Sequence, residues 1–219
     1  MTIEMGMTAG TGLMLIVMLV SARHLHVPPW KTAILSVLLA CAGYAGAKLM
    51  FAIESGGSLA GRSFFGSLLF VPPLMALAAL ALRMPPEDAL DLCAPGECVM
   101  LALLKVKCLM DGCCVGVILH TAESGGVIRF PSQIVEGIHA LLLCGALMLL
   151  IRRGRCRGQV YAWYMILYGG GRFILNLLRE TEPFIWILPA GNFWSLISVA
   201  IGAIWLLLKR QRALPRPTA

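Results

Sequence analysis

Apolar residues in this chain come in long runs, not in the period-two alternation of strands or the narrow stripe of a surface helix. Seven such runs can be marked, at approximately 6–22, 30–53, 63–84, 97–111, 132–151, 159–178 and 192–208. Most approach the roughly 20 residues that a helix needs to cross the hydrocarbon core of a bilayer. The pattern predicts seven membrane helices, and the lack of alternating segments argues against a membrane barrel. The fourth run is the shortest and carries lysines at its end. The third contains Pro72 and Pro73, which predict a kink of the kind that neighbouring membrane helices tolerate. With no internal repeat and no low-complexity linker, the expectation is one polytopic all-α membrane domain over 1–219. It would carry a short outer-face insert near 117–131 and a basic cytoplasmic tail over 209–219.

Composition supports that class. Of 219 residues, 59% are hydrophobic and 13% are charged, more apolar surface than a soluble domain of this length can hide. The leader "MTIEMG" has an acid and no lysine or arginine, so the first run reads as a span and not as a signal peptide.

Charge then supplies an orientation. With the N-terminus outside and seven alternating spans, the inner side carries Arg23, Lys31, Arg83, Arg152, Arg153, Arg155, Arg157, Lys209, Arg210, Arg212 and Arg216, eleven of the eighteen basic residues. That is the usual inward bias, and it puts the C-terminus in the cytoplasm. The net charge of +7 therefore calls for anionic lipid and for no nucleic-acid partner.

The same topology leaves Lys48, Glu54, Arg62, Lys105, Lys107, Asp111, Arg129, Glu136, Arg172, Arg179, Glu180 and Glu182 at the outer ends of the helices. Arg172 lies between apolar residues in "YGGGRFILNLL", and Glu136 and His139 share one helical face. An ionisable group at membrane depth costs roughly 2.5–3.5 kcal/mol on insertion scales, so it pairs or faces a polar cavity. Structural ion pairs and snorkelling arginines are one reading. The convergence of five basic residues on one membrane face makes a phosphate ligand the other. Gly169, Gly170 and Gly171, directly before Arg172, are expected to loosen the helix and let backbone approach a ligand.

Among the cysteines, Cys41 and Cys144 read as small hydrophobes and Cys156 as a reduced cytoplasmic thiol. The stretch "KVKCLMDGCCVG" is less ordinary, with Cys108, Cys113 and Cys114 close to two lysines. Its spacing is not that of a common zinc motif, so no metal and no cofactor is expected. Tight packing, a disulfide drawing on Cys93, Cys98, Cys108, Cys113 or Cys114, and a reactive Cys108 with its pKa lowered by the lysines all stay open. Cys93 and Cys98 are expected to open the fourth helix on the inner side.

An ordered series of segments resembles the bacterial prolipoprotein diacylglyceryl transferases. "DLCAPGECVMLALLKVKCLMDGCCVG" matches that family's central segment at Asp91, Ala94, Pro95 and Gly116, with Lys105 in place of an arginine and Cys108 in place of an asparagine. "RFPSQIVEG" matches at Arg129, Pro131, Ser132, Gln133 and Glu136, with Phe130 and Val135 replacing a histidine and a tyrosine. "YGGGRFILNLLRE" matches at Tyr168, Gly169, Arg172, Phe173 and Arg179, with Asn176 replacing a glutamate. Phe65 stands where the family has a histidine, and Thr11 where it has a tyrosine. The resemblance implies a multi-pass enzyme of the bacterial cytoplasmic membrane that moves diacylglycerol from phosphatidylglycerol to the lipobox cysteine of a prolipoprotein.

Such chemistry needs a thiolate nucleophile and cations to hold the departing phosphate. The resemblance implies Arg172, Glu136, Lys105 and Cys108 as catalytic residues. It implies Arg129, Arg179, Gln133, Asn176, Tyr168 and Gly116 as binding residues for phosphatidylglycerol or another anionic phospholipid. Glu136, His120, Asp111 and His139 are the candidate bases. Two other functions stay open: a lipid or headgroup transferase using its own cysteines, and a non-catalytic lipid-binding or transport protein.

Overall fold

The computed structural model describes residues 3–121, 126–179, 183–185 and 187–213. Glu180, Glu182 and Arg216 lie outside the described residues. Seven α-helices form among them: α1 (Ile3–Leu25), α2 (Pro29–Glu54), α3 (Phe64–Ala81), α4 (Pro86–Asp111), α5 (Ser132–Arg153), α6 (Val160–Asn176) and α7 (Ala190–Ala213). Two small antiparallel hairpins complete the fold, β1 (Ile118–Thr121) with β2 (Val127–Arg129), and β3 (Pro183–Ile185) with β4 (Leu188–Pro189).

Among the described residues four helices are long and apolar enough to cross a membrane: Pro29–Glu54, Phe64–Ala81, Ser132–Arg153 and Ala190–Gln211. The apolar stretch recognised in α1 is shorter, Gly10–Leu25. The α6 helix has 17 residues, and α4 carries Glu87, Asp88, Asp91, Glu97, Lys105, Lys107 and Asp111. The outward face of α5 bears exposed Ile138, Leu142 and Leu149, an apolar surface suited to lipid tails and not to water.

The α4 helix begins eleven residues before the expected start, because its acidic first half is buried and bonded. Pro85 and Pro86 start it, with Glu87 and Asp88 in the first turn, where a helix favours negative charge. Cys93 and Cys98 are therefore interior residues of α4, fully buried, and do not open it. Asp91 accepts the backbone N–H groups of Gly158, Val160 and Tyr161 at 2.5, 2.9 and 3.3 Å. It thus satisfies orphan donors at the start of α6, as a capping residue would, from a different helix. Beside it Asp88 forms a two-pronged pair with Arg157 at 2.7 Å.

Packing explains the glycines. Gly66 of α3 lies against the Gly46 carbonyl of α2 with no room for a Cβ, so these two helices meet backbone to backbone. The α3 helix runs continuously through Pro72 and Pro73. The α6 helix also runs unbroken through Gly169, Gly170 and Gly171, so the triple glycine does not loosen it. Gly169 instead packs on Ser195, Ser198 and Val199 of α7, and Gly171 packs on His139 of α5. The smallest side chain lets α6 press between two neighbours.

Candidate functional site

One end of the bundle gathers the last turns of α4, the first turns of α5, the last turn of α6 and the β1–β2 hairpin. Lys105 enters from α4, Glu136 from the second turn of α5, and Arg172 from α6. Arg179 follows three residues after the end of α6. The Glu136 carboxylate is paired with Lys105 Nζ and Arg172 Nη1, and Arg179 Nη1 approaches it at 3.6 Å. All four side chains are 5–13% exposed.

Among the described residues Glu136 is the one carboxylate ion-paired to these three cations, with Glu54 within electrostatic reach of Arg172, so the group of four side chains holds more positive than negative charge in a poorly solvated place. Arg179 Nε is also buried without a hydrogen-bond partner among the described residues. A buried donor with nothing to bind is expensive, and an anion removes that cost. Surplus charge and spare donor together describe an anion site.

The chain around Arg179 is held by backbone. Gly116 pairs with Arg179 as an isolated bridge. The Val117 N–H donates to the Leu178 carbonyl at 3.1 Å, and the Phe130 N–H donates to the Val117 carbonyl at 2.9 Å. A Cβ at Gly116 would strike the Phe130 carbonyl and lie 3.0 Å from the Leu178 carbonyl. Only glycine lets these three segments close. Arg129 donates to the Gly116 carbonyl at 3.2 Å from the exposed strand β2, at the rim of the cluster and outside its ion pairs.

The remaining sequence candidates separate by place. Gln133 is buried and donates to the Cys113 carbonyl at 2.7 Å. Asn176 donates to Asn192 Oδ1 at 2.5 Å and ties the end of α6 to α7. Tyr168 packs its ring on Phe64, Phe65 and Tyr164 beneath the cluster. His139 is half-buried against Gly171 and within electrostatic reach of Glu136 and Arg172. Asp111 pairs with Lys107 at 2.6 Å on an exposed face, and His120 is exposed on β1.

All eight cysteines are free thiols. The Sγ atoms of Cys108, Cys113 and Cys114 nonetheless lie within 4.8 Å of one another, a grouping with the make-up of a metal site. The linear spacing gave no hint of it, since a helix cap and not a loop of standard length brings the sulfurs together. The thiol held below the ordinary cysteine value is Cys114, not Cys108. Cys108 lies beside it, and the positive charges of Lys105 and Arg179 favour its thiolate.

A family model for prolipoprotein diacylglyceryl transferases matches residues 4–208. The chain belongs to that family. It is 27% identical over 194 residues to phosphatidylglycerol–prolipoprotein diacylglyceryl transferase 2 of Clostridium perfringens, covering 78% of this chain and 75% of that one. A transferase of the same name from Paracidovorax citrulli is 30% identical over 168 residues, covering 70% of this chain and 62% of its own. Another, from Verminephrobacter eiseniae, is 30% identical over 179 residues, covering 76% and 63%. The aligned part thus spans less than two thirds of the last two relatives. Family membership makes this a membrane protein, and the buried cluster of Lys105, Glu136, Arg172 and Arg179 falls in segments that carried the resemblance.

Sequence reading missed Asn192, whose side chain meets Asn176. It also missed the packing of His139 on Gly171, and the folding of Cys113 and Cys114 back over Cys108. Gly112 signals the end of that helix but not the return of the chain over Cys108.

Proposed function

We propose that this protein transfers diacylglycerol from phosphatidylglycerol to the cysteine thiol of an exported prolipoprotein, at the outer face of the bacterial cytoplasmic membrane. All seven helices cross the bilayer in this reading, with the N-terminus outside and the C-terminus in the cytoplasm.

The observation that carries it is the pairing of three cations with a single carboxylate, Lys105, Arg172 and Arg179 around Glu136. Substitution at the glycerol carbon of phosphatidylglycerol expels glycerol phosphate. The rate therefore depends on fixed positive charge where the phosphate oxygen gains its electrons. Glu136 holds the three cations in register before lipid arrives, so little reorganisation is needed. Arg179, with its spare buried Nε–H, is the arm that takes the phosphate, and Arg172 and Lys105 supply the field behind it. Arg129 at the rim meets the headgroup or the approaching peptide.

The test is direct. Purified protein is incubated with phosphatidylglycerol and a lipobox peptide, and the peptide is weighed by mass spectrometry. A diacylglyceryl adduct that disappears in Arg172→Ala is the expected result. No adduct from a folded protein overturns the reading.

A further inference from the structure

Cys108 lies in the last turn of α4, one turn beyond Lys105. Gly112 ends that helix in the left-handed conformation, at φ 66°. The reversal lets the Cys113 N–H donate to the Cys108 carbonyl at 3.1 Å, and it carries Cys114 into the left-handed region at φ 58°. A side-chain-bearing residue there is strained and persists only where its surroundings fix it. Here Ser132 Oγ donates to the Cys114 carbonyl at 2.6 Å, and Gln133 Nε2 donates to the Cys113 carbonyl at 2.7 Å. Two donors at the start of α5 thus hold a strained turn that brings three sulfurs within 4.8 Å of one another.

We propose that Cys108, Cys113 and Cys114 form a three-thiolate site for a divalent thiophilic ion of the zinc class, whose fourth coordination position takes the cysteine thiolate of the acceptor. The inference rests on the transferase reading above. An ion at about 2.3 Å from each thiolate holds the sulfurs about 3.8 Å apart, a spacing that small side-chain rotations reach from the present one. Soft sulfur ligands select such an ion over magnesium or calcium. Three thiolates and a divalent ion sum to one negative charge, and Lys105 and Arg179 stand close enough to offset it. Three protein ligands leave the position that catalytic zinc sites keep open.

This placement solves a problem of the reaction. The acceptor must react as a thiolate, and a coordinated thiol is deprotonated outright. Its proton passes to solvent. The sulfur electron pair then forms the S–C bond to the glycerol carbon, and the C–O bond to phosphate breaks with its pair staying on oxygen. Glycerol phosphate leaves, and nothing is oxidised or reduced. Lys105 and Arg179 lie within electrostatic reach of Cys114 and are paired with Glu136, so nucleophile and leaving group are managed by adjoining sites.

The test uses the detergent-solubilised full chain, stripped with chelator and titrated with cobalt(II) as the optical probe. One ion per chain, with the visible bands of tetrahedral thiolate ligation, displaced by zinc and absent from the Cys108→Ser/Cys113→Ser/Cys114→Ser variant, is the expected result. A lipobox peptide changes those bands, and the same peptide with serine for cysteine does not. Wild-type protein that shows no thiolate–cobalt bands overturns the proposal without recourse to any variant. So does chelator-stripped wild type that transfers diacylglycerol at its full rate, which leaves the transferase reading standing. Cobalt bound with a peptide-dependent spectrum, but no adduct formed with zinc present, removes the transferase reading and with it the role given to the fourth position.

Discussion

Glu136 on α5 and Arg172 on α6 form an ion pair in which both side chains are nearly closed to solvent. The pair is not self-contained, because Lys105 and Arg179 share the same carboxylate. A buried pair roughly breaks even against its desolvation cost, whereas a buried cation without its partner does not. Glu136 is thus the residue on which the geometry of three cations depends.

Glu136→Gln keeps the volume and removes the charge, leaving three cations to repel one another. Breaking a buried pair in this way costs about 3–5 kcal/mol. The variant should unfold at a clearly lower temperature in neutral detergent, and phosphatidylglycerol should restore more of the loss than it adds to the wild type. Equal stability of the two proteins in neutral detergent would contradict the role given to Glu136.

Arg179 stands farther from Glu136, at 3.6 Å, and keeps a buried Nε–H without a partner among the described residues. Its substitution should therefore fall on lipid binding. A lost hydrogen bond to a charged group is worth about 1.5–3 kcal/mol, or roughly a 10- to 150-fold weaker affinity for the anionic headgroup. Arg179→Lys should recover only part, since lysine lacks the planar fork. Binding of fluorescent phosphatidylglycerol measures both, and unchanged affinity in Arg179→Ala would place the phosphate elsewhere.

Arg172 and Glu136 were legible in the sequence because a charge inside an apolar run needs an explanation. Their convergence with Lys105 was legible because neighbouring membrane helices alternate in direction. Other features were hidden for physical reasons. The first half of α4 lies outside the apolar run at 97–111, and its Asp88 and Asp91 carboxylates are satisfied by Arg157 and the start of α6, more than sixty residues away in sequence. The triple glycine gives no sign of whether it opens a helix or lets neighbours close on it. Here the packing of Gly169 on α7 and of Gly171 on His139 decides. The three sulfurs meet through a left-handed Cys114, a conformation that no residue type announces.

Asp91 supplies the third prediction, one of stability without chemistry. Its carboxylate accepts three backbone N–H groups at the start of α6, and it lies in the half of α4 remote from the Glu136 cluster. Asp91→Ala leaves those donors buried and unsatisfied, at roughly 1–3 kcal/mol for each one that water cannot reach. Thermal unfolding should shift down by several degrees, while KM for lipid in the folded fraction stays unchanged. A large change in KM without loss of stability would make Asp91 part of the site.

The last prediction concerns Cys114, in the turn after α4. Cys108 lies beside its sulfur, and Lys105 and Arg179 favour the thiolate, so its pKa lies below the ordinary thiol value near 8.5. The sign follows: as pH falls from 8, an ordinary exposed thiol stops reacting with iodoacetamide, while Cys114 keeps its thiolate and goes on reacting. A short cysteine peptide free in solution provides the comparison. At pH 6.5, mass-spectrometric mapping of chelator-stripped protein should find Cys114 alkylated well ahead of that peptide. Lys105→Met should move the Cys114 profile to higher pH, because it removes one of the cations that favour the thiolate. An identical profile in that variant would leave Arg179 and the neighbouring Cys108 as the groups that favour the thiolate. Loss of the selectivity in wild type would show that the three sulfurs do not share the arrangement seen here.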